Sequence, residues 1–210
     1  DHPPEEQIQE AESRLYELAE KGKYGQGFLT FGTALTHAIE AYINRWPHAD
    51  TEQHCVAAVR MIFGNLPRAY DDGNDMEARE AMALAAFYAG IAFTKAYVGY
   101  VHAFSHKLGG MYGVPHGLAN AITLPYVLDF IKDAPLARER LAKLAVVIGA
   151  GSAGEAEGVL AQRFIDRVRE LNRGVGIPEK VAALKPSDVP TVARAAMIER
   201  ALTATVHDFE

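Results

Sequence analysis

The chain has one cysteine, Cys55, in 210 residues. That rules out an internal disulfide and suits a reducing, cytoplasmic compartment. It has no basic run. Twenty-one lysines and arginines against 27 aspartates and glutamates leave a formal charge of −6, the wrong sign for a nucleic-acid partner. No apolar stretch reaches the roughly 18 residues of a membrane span, and nothing resembles a signal peptide, so no membrane partner is expected. The alternating pattern of half-buried strands is almost wholly missing, as is any internal repeat. The chain opens on Asp1 and not on Met, which suggests a processed or excised piece.

Helical periodicity is what the chain does have. Hydrophobic residues make up 49% and charged residues 23%, a profile expected of a globular protein with one sizeable core. Residues 5–20 place Ile8, Ala11, Leu15 and Leu18 on one face, and Pro3-Pro4 precede an acidic first turn. Residues 21–27 carry three glycines and read as a loop. Further helices are expected over 33–45, from an Asp50 cap through residues 57–70 with Pro67 kinking or ending it, and over 76–94. The small residues of the last predict a central, buried helix. Residues 71–75 (DDGND) form an acidic turn and helix cap, since calcium-loop spacing is absent. Buried or amphipathic helices are then expected over 119–130 with a kink at Pro125, over 135–148, over 155–173, in a short piece after 178, and from a Ser187-Asp188 cap to about Leu202. The run GAGSAG at 149–154 lacks the preceding strand of a dinucleotide-binding unit and reads as a loop between helices. The fold class is all-α, a bundle of eight or nine helices.

Chemistry concentrates between Gly99 and Leu124, which holds three of the eight histidines. If residues 97–108 are helical, His102 and His106 stand one turn apart on one face. A break at Gly109-Gly110 and a loop through Gly113-Val114-Pro115 would return His116 to the same neighbourhood. Imidazole is the commonest protein ligand of divalent metals, so the stretch is a candidate metal or catalytic site. The same spacing also suits two polar side chains that are simply hydrogen-bonded. It does not suit a metalloprotease, because Ala103 stands where the general-base glutamate would be. Thr33 and His37 share a second helical face; taken alone, His37 reads as a satisfied polar residue.

Three segments in order resemble the iron-containing (group III) alcohol dehydrogenases: ALTHAIEAY at 34–42, AGIAFTKAYVGYVHAFSHKLGG at 89–110 and YGVPHGLANAITLP at 112–125. NLPRAYDDGND at 65–75 and EAR at 77–79 are similar to the family's connecting region. The resemblance implies the family's all-helical, metal-binding domain, the helical half of the dehydroquinate synthase-like fold, spanning 1–210 as one unit. The N-terminal nucleotide-binding domain is expected to be absent from this chain, since nothing before Ala34 offers its strand and glycine loop. It implies His37, His102 and His116 as ligands of Fe2+ or Zn2+, and His106 as the histidine beside nicotinamide and substrate. NAD(P) would be the cofactor of the full-length protein, a small alcohol or carbonyl compound its substrate, and a homo-oligomer a candidate state.

One position departs from the family. Where Gly-x-Asp-Ala-Leu is usual, this chain reads Phe31-Gly32-Thr33-Ala34-Leu35, so a hydroxyl replaces a carboxylate ligand. Three imidazoles still suffice for zinc with an open position, but the lost charge should lower affinity, for iron most of all. Two other classes stay open: a metal-free or inactive relative kept as a helical interaction domain, and a three-histidine hydrolase.

Overall fold

The computed structural model describes residues 26–44, 49–96 and 98–207. The helix expected over 5–20 lies outside these residues. Among the described residues there are eight α-helices and one short 3-10 turn, with no strand. They are α1 (Gln26–Ile43), α2 (Ala49–Asp71), α3 (Met76–Ala96), α4 (Tyr100–Tyr112), α5 (His116–Ile131), α6 (Pro135–Val147), α7 (Glu157–Gly174), the turn Pro186–Asp188, and α8 (Val189–His207). No single helix among them is long and apolar enough to cross a membrane.

Helix α1 is the central post, packed by α2, α3 and α5. Its apolar residues recur at helical spacing on more than one side: Phe31, Leu35, Ala38, Ile39 and Tyr42 are all buried. Ala34 and Ala41 are buried with them. Around α1 the core is filled by Ile62 from α2, Leu124 and Leu128 from α5, Leu141 and Leu144 from α6, and Phe164 and Ile165 from α7. Each such side chain contributes about 1.5–3 kcal/mol by leaving water. A satellite cluster of Leu108, Ala119 and Val192 joins α4, α5 and α8.

Several boundaries differ from the sequence expectations for identifiable reasons. Helix α1 starts by Gln26, inside the expected loop over 21–27, because Phe31 and Leu35 are drawn into the core. Asp50 lies within α2 and not ahead of it, and Pro67 sits inside the helix without ending it. Helix α3 is not buried all round. Its packed face is alanine (Ala78, Ala85, Ala89, Ala92, Ala96), while Leu84 and Phe87 are exposed. Its start is as expected, since Asp75 accepts the Ala78 backbone N–H at 3.0 Å. No short helix follows Pro178 directly; the chain reaches only the 3-10 turn at Pro186–Asp188.

Helix α4 passes through Gly109-Gly110, where a break was expected, and stops at Gly113 in the left-handed conformation (φ 64°). There the Gly113 N–H reaches the Gly109 carbonyl, the usual helix-ending device. Pro125 takes away the N–H that would serve the Ala121 carbonyl. Asn172 of α7 replaces it, its Nδ2 donating to the Ala121 oxygen at 2.7 Å. Helix α5 therefore runs through its proline to Ile131.

Candidate metal centre

Two close approaches set the site. A β-carbon on Gly32 would lie 2.1 Å from the Gly117 carbonyl oxygen, so only glycine lets α1 come this near the first turn of α5. One turn further along α1 is His37, and His116 opens α5 behind Pro115. At the second approach a β-carbon on Gly99 would stand 2.6 Å from Glu40 Oε1. With none there, the buried Glu40 carboxylate accepts the Gly99 N–H at 2.9 Å and the Val101 N–H at 2.7 Å, tying the start of α4 to α1.

The third donor to Glu40 is His102, Nδ1 to Oε2 at 2.6 Å. A carboxylate can only accept, so the proton sits on Nδ1 and the Nε2 lone pair of this buried ring faces the other way. It faces a group of imidazoles. His37 and His102 stack with centroids 4.6 Å apart, His102 and His116 lie 5.3 Å apart, and His106 and His116 lie 5.2 Å apart. Phe93 of α3 closes the far side by stacking on His37 at 4.0 Å. Helices α1, α4 and α5 thus bring His37, His102, His106 and His116 into one cluster.

Two of the four imidazoles are held toward the neutral form. Burial, then the proximity of His102 and His116, pushes His37 down to about 3. Burial, then His102 and His106, lowers His116 as well. Neutral nitrogen is the metal-binding form of imidazole. As the side chains stand, however, no three histidines, carboxylates or cysteines among the described residues form a cage for an ion. The ring planes explain this. His37 and His102 are parallel to within 1°, and lone pairs lie in the ring planes, so two stacked rings cannot aim at one point. A rotation of His37 about its side-chain bonds is needed to bring its lone pair into convergence.

The donor set fits a divalent ion in its chemistry: several imidazoles, of which His102 is buried with a carboxylate behind it, the usual second layer of a metal site. An orphaned polar atom points the same way. Asn120, one turn after His116, is buried. Its Nδ2 stands 3.1 Å from His116 Nε2 and 3.4 Å from His102 Nε2, while its Oδ1 has no hydrogen-bond partner.

His106 is half-exposed, and its Nδ1 lies 2.5 Å from Glu199 Oε1 of α8. Lys107 holds the other Glu199 oxygen at 2.6 Å. Against the cost of burial, hydrogen bonds from Lys107 and His106 keep the Glu199 carboxyl below its usual range. His106 Nε2 is thereby the ring nitrogen left for another partner.

Glu40, Phe93, Asn120 and Glu199 were not picked out from the sequence. Two of them had a local signal, since His37/Glu40 and His116/Asn120 are three and four residues apart on their helices and must share faces. Phe93 and Glu199 come from other helices, and no local spacing indicates them.

Residues 30–209 match the family described as "Fe-containing alcohol dehydrogenase family, C-terminal". The chain is 39% identical over 166 residues to the 1,3-propanediol dehydrogenase of Klebsiella pneumoniae, covering 78% of this chain and 42% of that protein. It is 36% identical over 180 residues to the NAD-dependent methanol dehydrogenase of Bacillus methanolicus, covering 85% and 47%. A crystal structure of 1,3-propanediol oxidoreductase superposes with a TM-score of 0.77 at 38% identity, over 81% of this chain and 45% of that one. The chain thus spans less than half the length of these relatives.

Proposed function

The chain belongs to the iron-containing alcohol dehydrogenase family, whose C-terminal part it matches, and from that premise we propose that it is the helical half of a metal-dependent, NAD(P)-linked alcohol dehydrogenase. Its substrates would be small alcohols and the corresponding aldehydes or ketones. The observation that supports this reading is the clustering of the His37, His102, His106 and His116 rings from three helices.

In this reading His37, His102 and His116 hold Fe2+ or Zn2+. A bound divalent ion supplies Lewis acidity toward the alcohol or carbonyl oxygen. A nicotinamide held by a nucleotide-binding domain supplies the hydride acceptor or donor. The residues of this chain do the rest. Glu40 holds the His102 proton on Nδ1 and so presents Nε2 to the site. Phe93 shields His37 from water on one face. His106, half-exposed and anchored through Nδ1, takes the alcohol hydroxyl proton on Nε2 and passes it to solvent. Cys55 takes no part: it is buried, and burial, then Glu52, pushes its thiol up to about 12, which leaves it unreactive.

Thr33 favours the second reading, a metal-free relative serving as a helical interaction domain. A titration of the purified 210-residue chain with Zn2+ or Co2+ separates the two. The dehydrogenase reading expects saturable binding that His102→Ala and His116→Ala abolish; no binding leaves the interaction domain. The chain by itself should reduce no NAD or NADP with any alcohol, because it carries no phosphate-binding glycine loop. Nicotinamide reduction above the level of a His106→Ala control would overturn that assignment of parts.

A further inference from the structure

The Thr33 departure leaves the cluster with nitrogen donors where the family pattern adds an oxygen. Asn120 is a buried polar side chain beside two of the histidines whose bonding is incomplete. It is fully buried, and its Oδ1 accepts no hydrogen bond. An unsatisfied buried acceptor ordinarily costs about 1–3 kcal/mol, which makes it a feature in need of a cause.

The distances suggest the cause. Nδ2 of Asn120 lies 3.1 Å from His116 Nε2 and 3.4 Å from His102 Nε2. Two ligand atoms each about 2.1 Å from one ion stand about 3.0 Å apart at a right angle and about 3.4 Å apart at the tetrahedral angle. The amide nitrogen therefore occupies a place that suits a third vertex beside the two imidazole nitrogens. Without an ion, the amide N–H groups serve the two lone pairs. With an ion on those lone pairs, an N–H donor there has nothing to donate to, while an amide oxygen is a good ligand for a hard cation. A half-turn of the amide exchanges the two atoms. It breaks no hydrogen bond on the Oδ1 side, because none is made there.

We propose that Asn120 is a metal ligand through Oδ1, supplying with His102 and His116 the oxygen donor that Thr33 does not. The inference rests on the metal-centre reading above. It differs from the family pattern in drawing the oxygen from α5, one turn after His116, and not from α1, one turn before His37.

The test is a Co2+ titration of the 210-residue chain at neutral pH, by calorimetry and by the visible absorption of the bound ion. Asn120→Ala should weaken binding by at least about tenfold and change the cobalt spectrum, as expected for loss of one ligand. Asn120→Asp keeps the shape and places a charged oxygen at the same vertex. It should tighten binding by at least about tenfold, and it carries the test if the alanine variant does not fold by far-ultraviolet circular dichroism. Thr33→Asp should gain more affinity in the Asn120→Ala background than in the wild type, since the two oxygens serve one role. The proposal is overturned if Asn120→Ala binds as tightly as the wild type or more tightly, the latter marking the amide as a mere competitor for the lone pairs. It is overturned also if Asn120→Asp gains nothing. If the wild type takes up no Co2+, the metal centre itself fails and Asn120 has no ligand role.

Discussion

His102 Nδ1 lies 2.6 Å from Glu40 Oε2, and both side chains are almost wholly buried. The same carboxylate holds the first backbone N–H groups of α4, so one residue of α1 sets both where α4 begins and which nitrogen of His102 carries the proton. Glu40→Gln would put an amide against an N–H donor and release that tautomer. We expect the affinity for Zn2+ to fall by about 10–100-fold, the usual effect of losing a second-layer carboxylate. Nitrogen-15 spectra of labelled histidine should show His102 leaving the Nδ1–H form. Unchanged spectra would mean that Glu40 serves only the backbone of α4.

Thr33 and His37 are one turn apart on α1. A carboxylate at 33 would add a charged oxygen donor on the His37 face. Thr33→Asp should raise affinity for a divalent ion by at least about tenfold, a step of about 1.4 kcal/mol. Calorimetry of the two chains at neutral pH makes the comparison. Equal affinities would show that position 33 does not face the ion.

The low basicity of His37 and His116 makes the metal-free chain acid-sensitive. Both have folded values below the ordinary histidine value, so the unfolded chain binds the protons more readily. The stability they contribute is complete above the unfolded value of 6.5 and is lost as pH falls, through to about 3 for His37. Lowered carboxyls such as Asp75 and Asp129 act in the same direction, but only below about pH 4.5. A drop in unfolding free energy between pH 7 and pH 5, read by urea denaturation in the presence of a chelator, therefore reports the histidines. His37→Phe retains an aromatic ring against Phe93 and should flatten that slope; an unaltered slope would acquit His37.

Asn172 serves the carbonyl that Pro125 leaves unpaired. Asn172→Ala should cost about 1–3 kcal/mol, the cost of an orphaned buried acceptor, and lower the melting temperature accordingly. Adding Pro125→Ala restores a backbone N–H to the Ala121 carbonyl and should recover part of the loss. If the double variant is no more stable than the single one, the bond is incidental to helix α5.

The sequence by itself determined the all-α class, most of the helices among the described residues and the one-turn pairing of His102 with His106. Those follow from local rules: the apolar period of α1, Pro135 at the start of α6, and the one-turn spacing of His102 and His106. The sequence also exposed the Thr33 substitution, because a motif is read along the chain. Tertiary structure decided the rest. Helix α1 begins earlier than its local signals indicate because Phe31 and Leu35 gain burial against the other helices. Helices α4 and α5 run through Gly109-Gly110 and Pro125 because packing and a hydrogen bond from Asn172 outweigh poor local propensity. The tautomer of His102, the stacking of His37 on Phe93 and the anchoring of His106 by Glu199 each join residues more than 50 positions apart. Periodicity says which residues share a face of one helix. Which face meets which is settled only when Gly32 lets α1 touch the first turn of α5, and that contact is a property of the packed core.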